Sequence, residues 1–518
     1  DDTKIKSMSN NVIVSPHYLS SEAGNTVFKL GGNAIDAAIA VNIVQGVVAP
    51  ETCGIGGDLF ALIWKDGENE PYCLDSSGYA GSNVGNIDFT GLKSLPLNHE
   101  ATATVPGAVR GWSEMNKKFG NLDFEILFEE AIKICNEGFE ISHELNQTLK
   151  HHQETLIDQD SAENFYIDGN PVAVGDVVKR EKLGKTLSLI AKNGPNIFYE
   201  GDVAEAISKA TKNILTNEDI KNFKSKWVSP LSLDLYGKTG WVTPPHTQSY
   251  LTLATLKTYE IITNSRKEIN PHLLIECYRS LAADRDHITY DYGDKIDSFV
   301  GLDLDYIKSK ALEIDMNKTS SFKSPENLGS GTAYMAVKDE GGNAVSLIQS
   351  NFYGIGSTIG VSDYGFFLHN RGAGFNLIEN HPNKIAPLRK PLHTLSPTIW
   401  SKDGKLDMVI GTRGGRYQPQ LLSQFILPLL LQSSSLEEVM KISRWTIDYF
   451  DENTESHLIF EPGLDKKIIK DLEQKGHNIK IENSLQASYG PISAICKDNN
   501  GQWFGAADPR VETSKAIY

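Results

Sequence analysis

The chain of 518 residues is 40% hydrophobic and 22% charged, the balance of a folded globular protein and too long for one small core. That composition excludes a disordered chain and a disulfide mini-scaffold. Acidic side chains number 66 against 50 basic ones, a net charge of -16, so the surface repels phosphate backbones and anionic lipid heads, and neither nucleic acid nor a membrane is an expected partner.

The opening residues, Asp1 to Asn10, lack the charged-then-apolar order of a secretion signal. Residues 31–45 carry small and apolar side chains at helical spacing all round, which predicts a helix buried between layers. Thr52-Cys-Gly-Ile-Gly-Gly57 follows, then a strand over Leu59 to Trp64. Pro106 opens a second helix that runs through Lys118 and stops at Gly120. Helical patterns dominate to about residue 320. From Gly329 the texture changes: Tyr334 to Val337, the turn 339–343 and Ala344 to Gln349 predict a β-hairpin, with β-rich segments at 392–400 and 406–410 and an apolar helix at 421–431. Helices first and sheets second predict an α+β fold with helices packed on antiparallel sheets. The most apolar run, 425–431, is too short to span a bilayer, so a cytoplasmic protein is expected, with room for a homo-oligomer. Five widely spaced cysteines without a CxxC pair predict neither a disulfide framework nor a zinc knuckle.

Metal chemistry has no motif here: HExxH is absent, and His151-His152 sits in a polar segment that suits an exposed helix face. No metal and no cofactor are expected. Gly54-Ile-Gly-Gly57 matches no phosphate loop, and its glycines are expected where backbones approach closely. The segment Gly329-Ser-Gly-Thr332 is more informative, because a small-residue stretch meets a hydroxyl at the first residue of a strand. The Gly331–Thr332 peptide has the parts for an N-to-O acyl shift, after which Thr332 becomes a new N-terminus whose amine serves as base for its own hydroxyl. An ordinary threonine opening a strand has the same local sequence. Further on, Gly411-Thr-Arg-Gly-Gly-Arg416 links a strand to a helix start, where uncovered amides can face an anion.

Together these residues resemble the γ-glutamyltranspeptidase family of N-terminal-nucleophile hydrolases. The resemblance is carried by Gly31-Gly-Asn-Ala-Ile-Asp-Ala-Ala38 with Gly54-Ile-Gly-Gly57, Thr104-Val-Pro-Gly107, 198–206, 215–220, Gly342-Asn-Ala-Val-Ser346, Leu395-Ser-Pro-Thr398 and Gly505-Ala-Ala-Asp-Pro-Arg510. It implies a four-layer αββα sandwich and a precursor cleaved into residues 1–331 and 332–518, which fold together as one unit. It also implies a small-molecule amide or γ-glutamyl-like substrate. Thr332 falls on the family's nucleophile, Gly331 on the residue before the cleaved bond, Gly414 and Gly415 on the glycine pair facing the oxyanion, and Ser350 on a second threonine beside the nucleophile. The family's Thr-Thr-His is Thr332-Ala333-Tyr334, and Asn370 matches an asparagine of the strand after Gly354-Ile-Gly356.

The departures bear on substrate. The arginine that clamps a glutamyl α-carboxylate would fall near Ser77, the aspartate that holds the α-ammonium falls on Gly374, and the serine pair before Ser-Pro-Thr is His393-Thr394. Losing a bidentate arginine contact removes on the order of a few kcal/mol of binding. Ser346-Leu-Ile-Gln-Ser-Asn-Phe-Tyr-Gly354 and His369-Asn-Arg-Gly-Ala-Gly-Phe375 resemble the transpeptidase-like and cephalosporin-acylase-like branch, with Arg371, Arg413, Arg416, His393 and Tyr353 as a replacement anion site. An ordinary γ-glutamyltransferase or glutathione hydrolase, and an uncleaved, catalytically idle binding protein, are the rival readings.

Overall fold

The computed structural model describes residues 10–264, 266–325, 331–448 and 456–518. Gly329 and Ser330 of the small-residue segment lie outside the described residues. Two large sheets form the centre. The first contains β1 (Val12–Ser15), β2 (Asp58–Trp64), β3 (Tyr72–Ser76), β4 (Lys226–Val228), β7 (Gly331–Lys338), β8 (Ala344–Phe352) and β13 (Lys515–Ile517), in the order β13-β1-β7-β8-β2-β3-β4. The second contains β5 (Leu231–Leu235), β6 (Lys238–Val242), β9 (Thr398–Lys402), β10 (Lys405–Gly411), β11 (Ser493–Lys497) and β12 (Trp503–Ala506), in the order β12-β11-β10-β9-β6-β5.

Alternation along the strands builds the layers, because successive side chains point to opposite faces. In β7, Ala333, Met335 and Val337 pack outward against the helices α1 (Tyr18–Lys29), α2 (Ala34–Val48) and α3 (Ala108–Phe119). Tyr334 and Ala336 point inward and meet Ile399 and Val409 of the second sheet. The second sheet's other face, with Trp400, Met408 and Ile410, packs on α5 (Tyr250–Thr263), α6 (Pro271–Ala282) and α7 (Gln418–Leu431). The result is the αββα sandwich.

The expected buried helix is α2, in which every residue is buried. It starts at Ala34 rather than at residue 31, because Asn33 accepts from the amides of Ile35 and Asp36 while Asp36 reaches back to the Asn33 amide, a capping box. The helix expected from Pro106 begins at Ala108 and ends at Gly120. The hairpin is present as β7 and β8. The β-rich expectation for 392–400 holds only from Thr398, since Pro391 and Pro397 have no amide to give a ladder. Most α-helices among the described residues precede position 331, but the strands are not confined to the part after it. Of the thirteen strands in the two sheets among the described residues, six precede position 331. Gly56 and Gly57 stand at close approaches, as expected, since a Cβ on Gly57 would lie 2.2 Å from the Ser350 carbonyl oxygen, whereas a Cβ on Gly54 would meet nothing nearer than 3.8 Å.

Candidate active site

One row of residues crosses the middle of the first sheet. Register pairs Asp58 of β2 with Ser350 of β8, and Ser350 with Thr332 of β7. Directly opposed residues share a face, and here it is the inward one, shared with Tyr334 and Phe60. Thr332 is 2% exposed.

Hydrogen-bond counting fixes the protons in this row. The Ser350 hydroxyl lies 2.6 Å from the Gly331 carbonyl oxygen, which can only accept, so the single Ser350 proton is donated there. Its oxygen then accepts from the Phe352 amide at 2.8 Å and from the Thr332 hydroxyl at 2.9 Å. The Thr332 oxygen therefore keeps its lone pairs uncommitted by Ser350, next to a carbonyl that Ser350 already polarises. Two residues on, the Tyr334 hydroxyl pairs with Ser346 at 2.7 Å, and burial holds its pKa well above the ordinary phenol value.

Asp58 anchors a second group. Its Oδ2 accepts from His393 Nε2 at 2.6 Å and from Arg371 Nε at 3.2 Å, and all three side chains are fully buried. Burial by itself would raise the Asp58 carboxyl, but His393 and Arg371 outweigh it and hold the group well below the usual carboxylate range. Burial, with Arg371 close by, pushes His393 down to about 3, so at neutral pH its ring is uncharged and supplies a hydrogen bond while Arg371 supplies the charge. His393 Nδ1 correspondingly accepts from the Leu395 amide. Arg371 also donates from Nη1 to Thr394 Oγ1 at 3.0 Å and lies over the Phe352 ring, 4.2 Å from its centroid. Its own amide donates to His369 Nδ1 at 2.8 Å, and burial lowers His369 to about 4, keeping that nitrogen an acceptor. Asn370 grips the same stretch of β8 and its exit: its amide donates to Asn351 O, and its Oδ1 accepts from the Tyr353 amide at 3.2 Å.

The glycine turn follows β10. The ring of Tyr334 packs so closely on Gly411 that a Cβ there would lie 2.2 Å from a ring carbon, which brings the end of β10 against β7. Gly414 and Gly415 then take φ of 122° and 56°, and Gly415 opens the turn of helix that leads into α7. The first amides of a helix have no acceptor within it. Arg413 locks the turn by a two-point ion pair with Glu144 of α4 (His143–His151), at 2.6 and 3.2 Å, and by donating to Gly490 O at 2.7 Å. Gln248 Nε2 donates to Gly415 O at 2.9 Å and to Thr394 O at 3.2 Å, tying the turn to the Asp58 cluster.

A family model for gamma-glutamyltranspeptidases matches residues 20–518. The chain belongs to the γ-glutamyltranspeptidase family. A glutathione hydrolase-like YwrD proenzyme of Bacillus subtilis is 33% identical over 510 residues, covering 96% of this chain and 97% of that protein. An oxamate amidohydrolase proenzyme of Klebsiella pneumoniae is 29% identical over 523 residues, covering 98% of each. The crystal structure of a cephalosporin acylase from Bacillus halodurans superposes with a TM-score of 0.89 at 27% identity, over 98% of this chain and 96% of that one.

Within this family member, the structure brings Gly331, Thr332 and Ser350 together as one bonded unit and places Tyr334, Asn370, Arg371, His393 and Thr394 around it. It does not assemble the five residues expected as an anion site into one free pocket. Arg371 and His393 bond to Asp58, with Arg371 Nη2 left without a hydrogen-bond partner among the described residues, Arg413 pairs with Glu144, and Arg416 donates to Tyr417 at 3.0 Å. Tyr353 stacks edgewise on Phe352. The two positions onto which the resemblance sets the family's charged anchors are both enclosed. Ser77 donates to Asp75, whose other oxygen faces His246 and Lys390 at 3.3 Å, so an internal ion network fills that place. A Cβ on Gly374 would lie 2.4 Å from Leu392 O, leaving no room for a carboxylate side chain. Asp58, Gln248 and Glu144 were not foreseen. A charged residue opening the otherwise apolar strand Asp58–Trp64 is the signal that marked the first of them.

Proposed function

We propose that this chain is a self-cleaving threonine amidohydrolase or acyltransferase whose nucleophile is Thr332. The observation that carries the reading is the Ser350 hydroxyl set between the Thr332 oxygen and the Gly331 carbonyl. In maturation Thr332 Oγ attacks the Gly331 carbonyl carbon. Its proton passes to Ser350 as the Ser350 proton passes to the Gly331 oxygen. The Gly331–Thr332 C–N bond then breaks, the hydroxyl proton of the intermediate moves to the leaving nitrogen, and an ester remains. Water hydrolyses the ester to a Gly331 carboxylate and a Thr332 with a free amine, giving pieces 1–331 and 332–518.

In turnover the neutral Thr332 amine takes the hydroxyl proton as the oxygen attacks an amide substrate. The amides of Gly414 and Gly415 stabilise the tetrahedral oxyanion. The proton then goes to the leaving amine, and water or a second amine takes the acyl group from Thr332. The acyl specificity differs from γ-glutamyl: the filled site at Ser77 and the closed position at Gly374 favour this, and relatives named for oxamate and cephalosporin amides support a wider amide range.

Intact mass tests the reading. A purified sample is expected to convert from a 57.1 kDa chain into two pieces, the smaller beginning at Thr332, and Thr332→Ala is expected to abolish both conversion and turnover. A chain that stays whole while hydrolysing amides sinks the mechanism. A glutaryl anilide is expected to be turned over faster than a γ-glutamyl anilide, and the reverse order would restore standard specificity.

A further inference from the structure

We infer that Arg371, held by Asp58, is a positioning residue for the Ser350 hydroxyl rather than a grip on the substrate; this rests on the proposed cleavage at Thr332. The connection is a continuous run of contacts. Asp58 fixes Arg371 through Nε at 3.2 Å, and Thr394 fixes it through Nη1 at 3.0 Å. The plane so fixed covers the Phe352 ring at 4.2 Å. Phe352 sits at φ 80°, a conformation that a non-glycine residue holds only when its surroundings impose it. That backbone sends the Phe352 amide 2.8 Å to Ser350 Oγ, a contact that holds the oxygen in place while its proton is donated to the Gly331 carbonyl.

Two further contacts act on the same segment. Asn370, next to Arg371 in the chain, binds the Asn351 carbonyl and the Tyr353 amide on either side of Phe352. His369 fixes the Arg371 backbone from the other side. Residues 369–371 therefore clamp 351–353 by backbone, side-chain and stacking contacts together, and Asp58 ties the clamp to the strand beside Ser350. A cation placed to receive a substrate anion would have its donors turned to open space. Arg371 is fully buried, with Nε turned to Asp58 and Nη1 to Thr394, and Nη2 is enclosed without a hydrogen-bond partner among the described residues rather than facing open space.

Self-cleavage separates the two roles, because it uses no substrate. The rate at which the precursor converts to two pieces is measured for the wild type, Arg371→Lys and Phe352→Leu, each checked for folding by circular dichroism, followed by kcat and KM on an anilide. Arg371→Lys keeps the charge and loses the planar stack. Phe352→Leu changes no charge and carries the same expectation should the buried lysine unfold the chain. Both variants are expected to cleave about tenfold more slowly or worse, while KM of the cleaved enzyme stays within about twofold. Cleavage at the wild-type rate in folded variants, or a rise in KM alone, overturns the inference and makes Arg371 a substrate contact. A wild type that never cleaves removes the proposed function itself and this inference with it.

Discussion

At the scale of single residues, one serine proton organises the centre. Ser350→Ala removes both the acceptor for the Thr332 hydroxyl and the donor to the Gly331 carbonyl. Cleavage is expected to slow by about 10² or more, the usual worth of a positioned proton-transfer group. Ser350→Thr retains the hydroxyl and is expected to cleave within a few-fold of wild type; a gel time course reads both. Equal rates for Ala and wild type would take Ser350 out of the mechanism. Gly331, Thr332 and the glycine pair carry a local pattern, a hydroxyl at a strand start or a glycine turn between strand and helix, whereas Ser350, near the end of β8, came only from the family resemblance. Arg371 was legible as an anion-binding cation but not as a buried neighbour of Asp58, 313 positions away, because that pairing exists only once β2 and β8 are in register.

At the scale of elements, the strongest patterns were also the legible ones. An apolar stretch with no polar face predicted α2, and it is buried all round. Alternation and a Gly-Gly-Asn turn predicted β7 and β8. The strands β5 and β6 were not foreseen, because five-residue segments such as Leu231-Ser-Leu-Asp-Leu235 between helices are too short for their alternation to stand out. The cap on α2 is a local feature with a local test: Asn33→Ala is expected to lower stability by about 1 kcal/mol in urea unfolding, and no change would mean the neighbouring Asp36 caps alone. A pH test belongs to α6 and the strand His477–Ile481, which meet through His272 Nδ1 and His477 Nε2 at 2.7 Å. His272 Nε2 donates to Asp315 O, so His477 must donate to His272, and both rings are neutral. Burial, with His272 adjacent, lowers His477 to about 3, against 6.5 for a free ring. The unfolded chain therefore binds the extra proton first. Stability from this group is complete above about pH 6.5 and is lost as pH falls from there toward 3, by about 2 kcal/mol at pH 5. His477→Asn is expected to flatten that slope between pH 7 and 5, and an unchanged slope would assign the acid sensitivity to other buried histidines.

At the scale of the whole molecule, position 331 cuts through both sheets rather than between two bodies. β7, which begins there, is hydrogen-bonded to β1 from the earlier part of the chain and to β8 from the later part; β8 is bonded to β2, and β9 to β6. The ion pairs Asp58–Arg371 and Glu144–Arg413 also join the two parts. Separating the pieces would expose the inward faces of both sheets and leave buried charges without partners, a cost far beyond that of an ordinary interface. Cleavage is therefore expected to leave size and melting behaviour nearly unchanged. On size exclusion the two pieces should elute together in the position of the uncut Thr332→Ala chain and separate only in denaturant. A smaller piece eluting alone under native conditions would mean that the strand pairings across position 331 do not hold the molecule together.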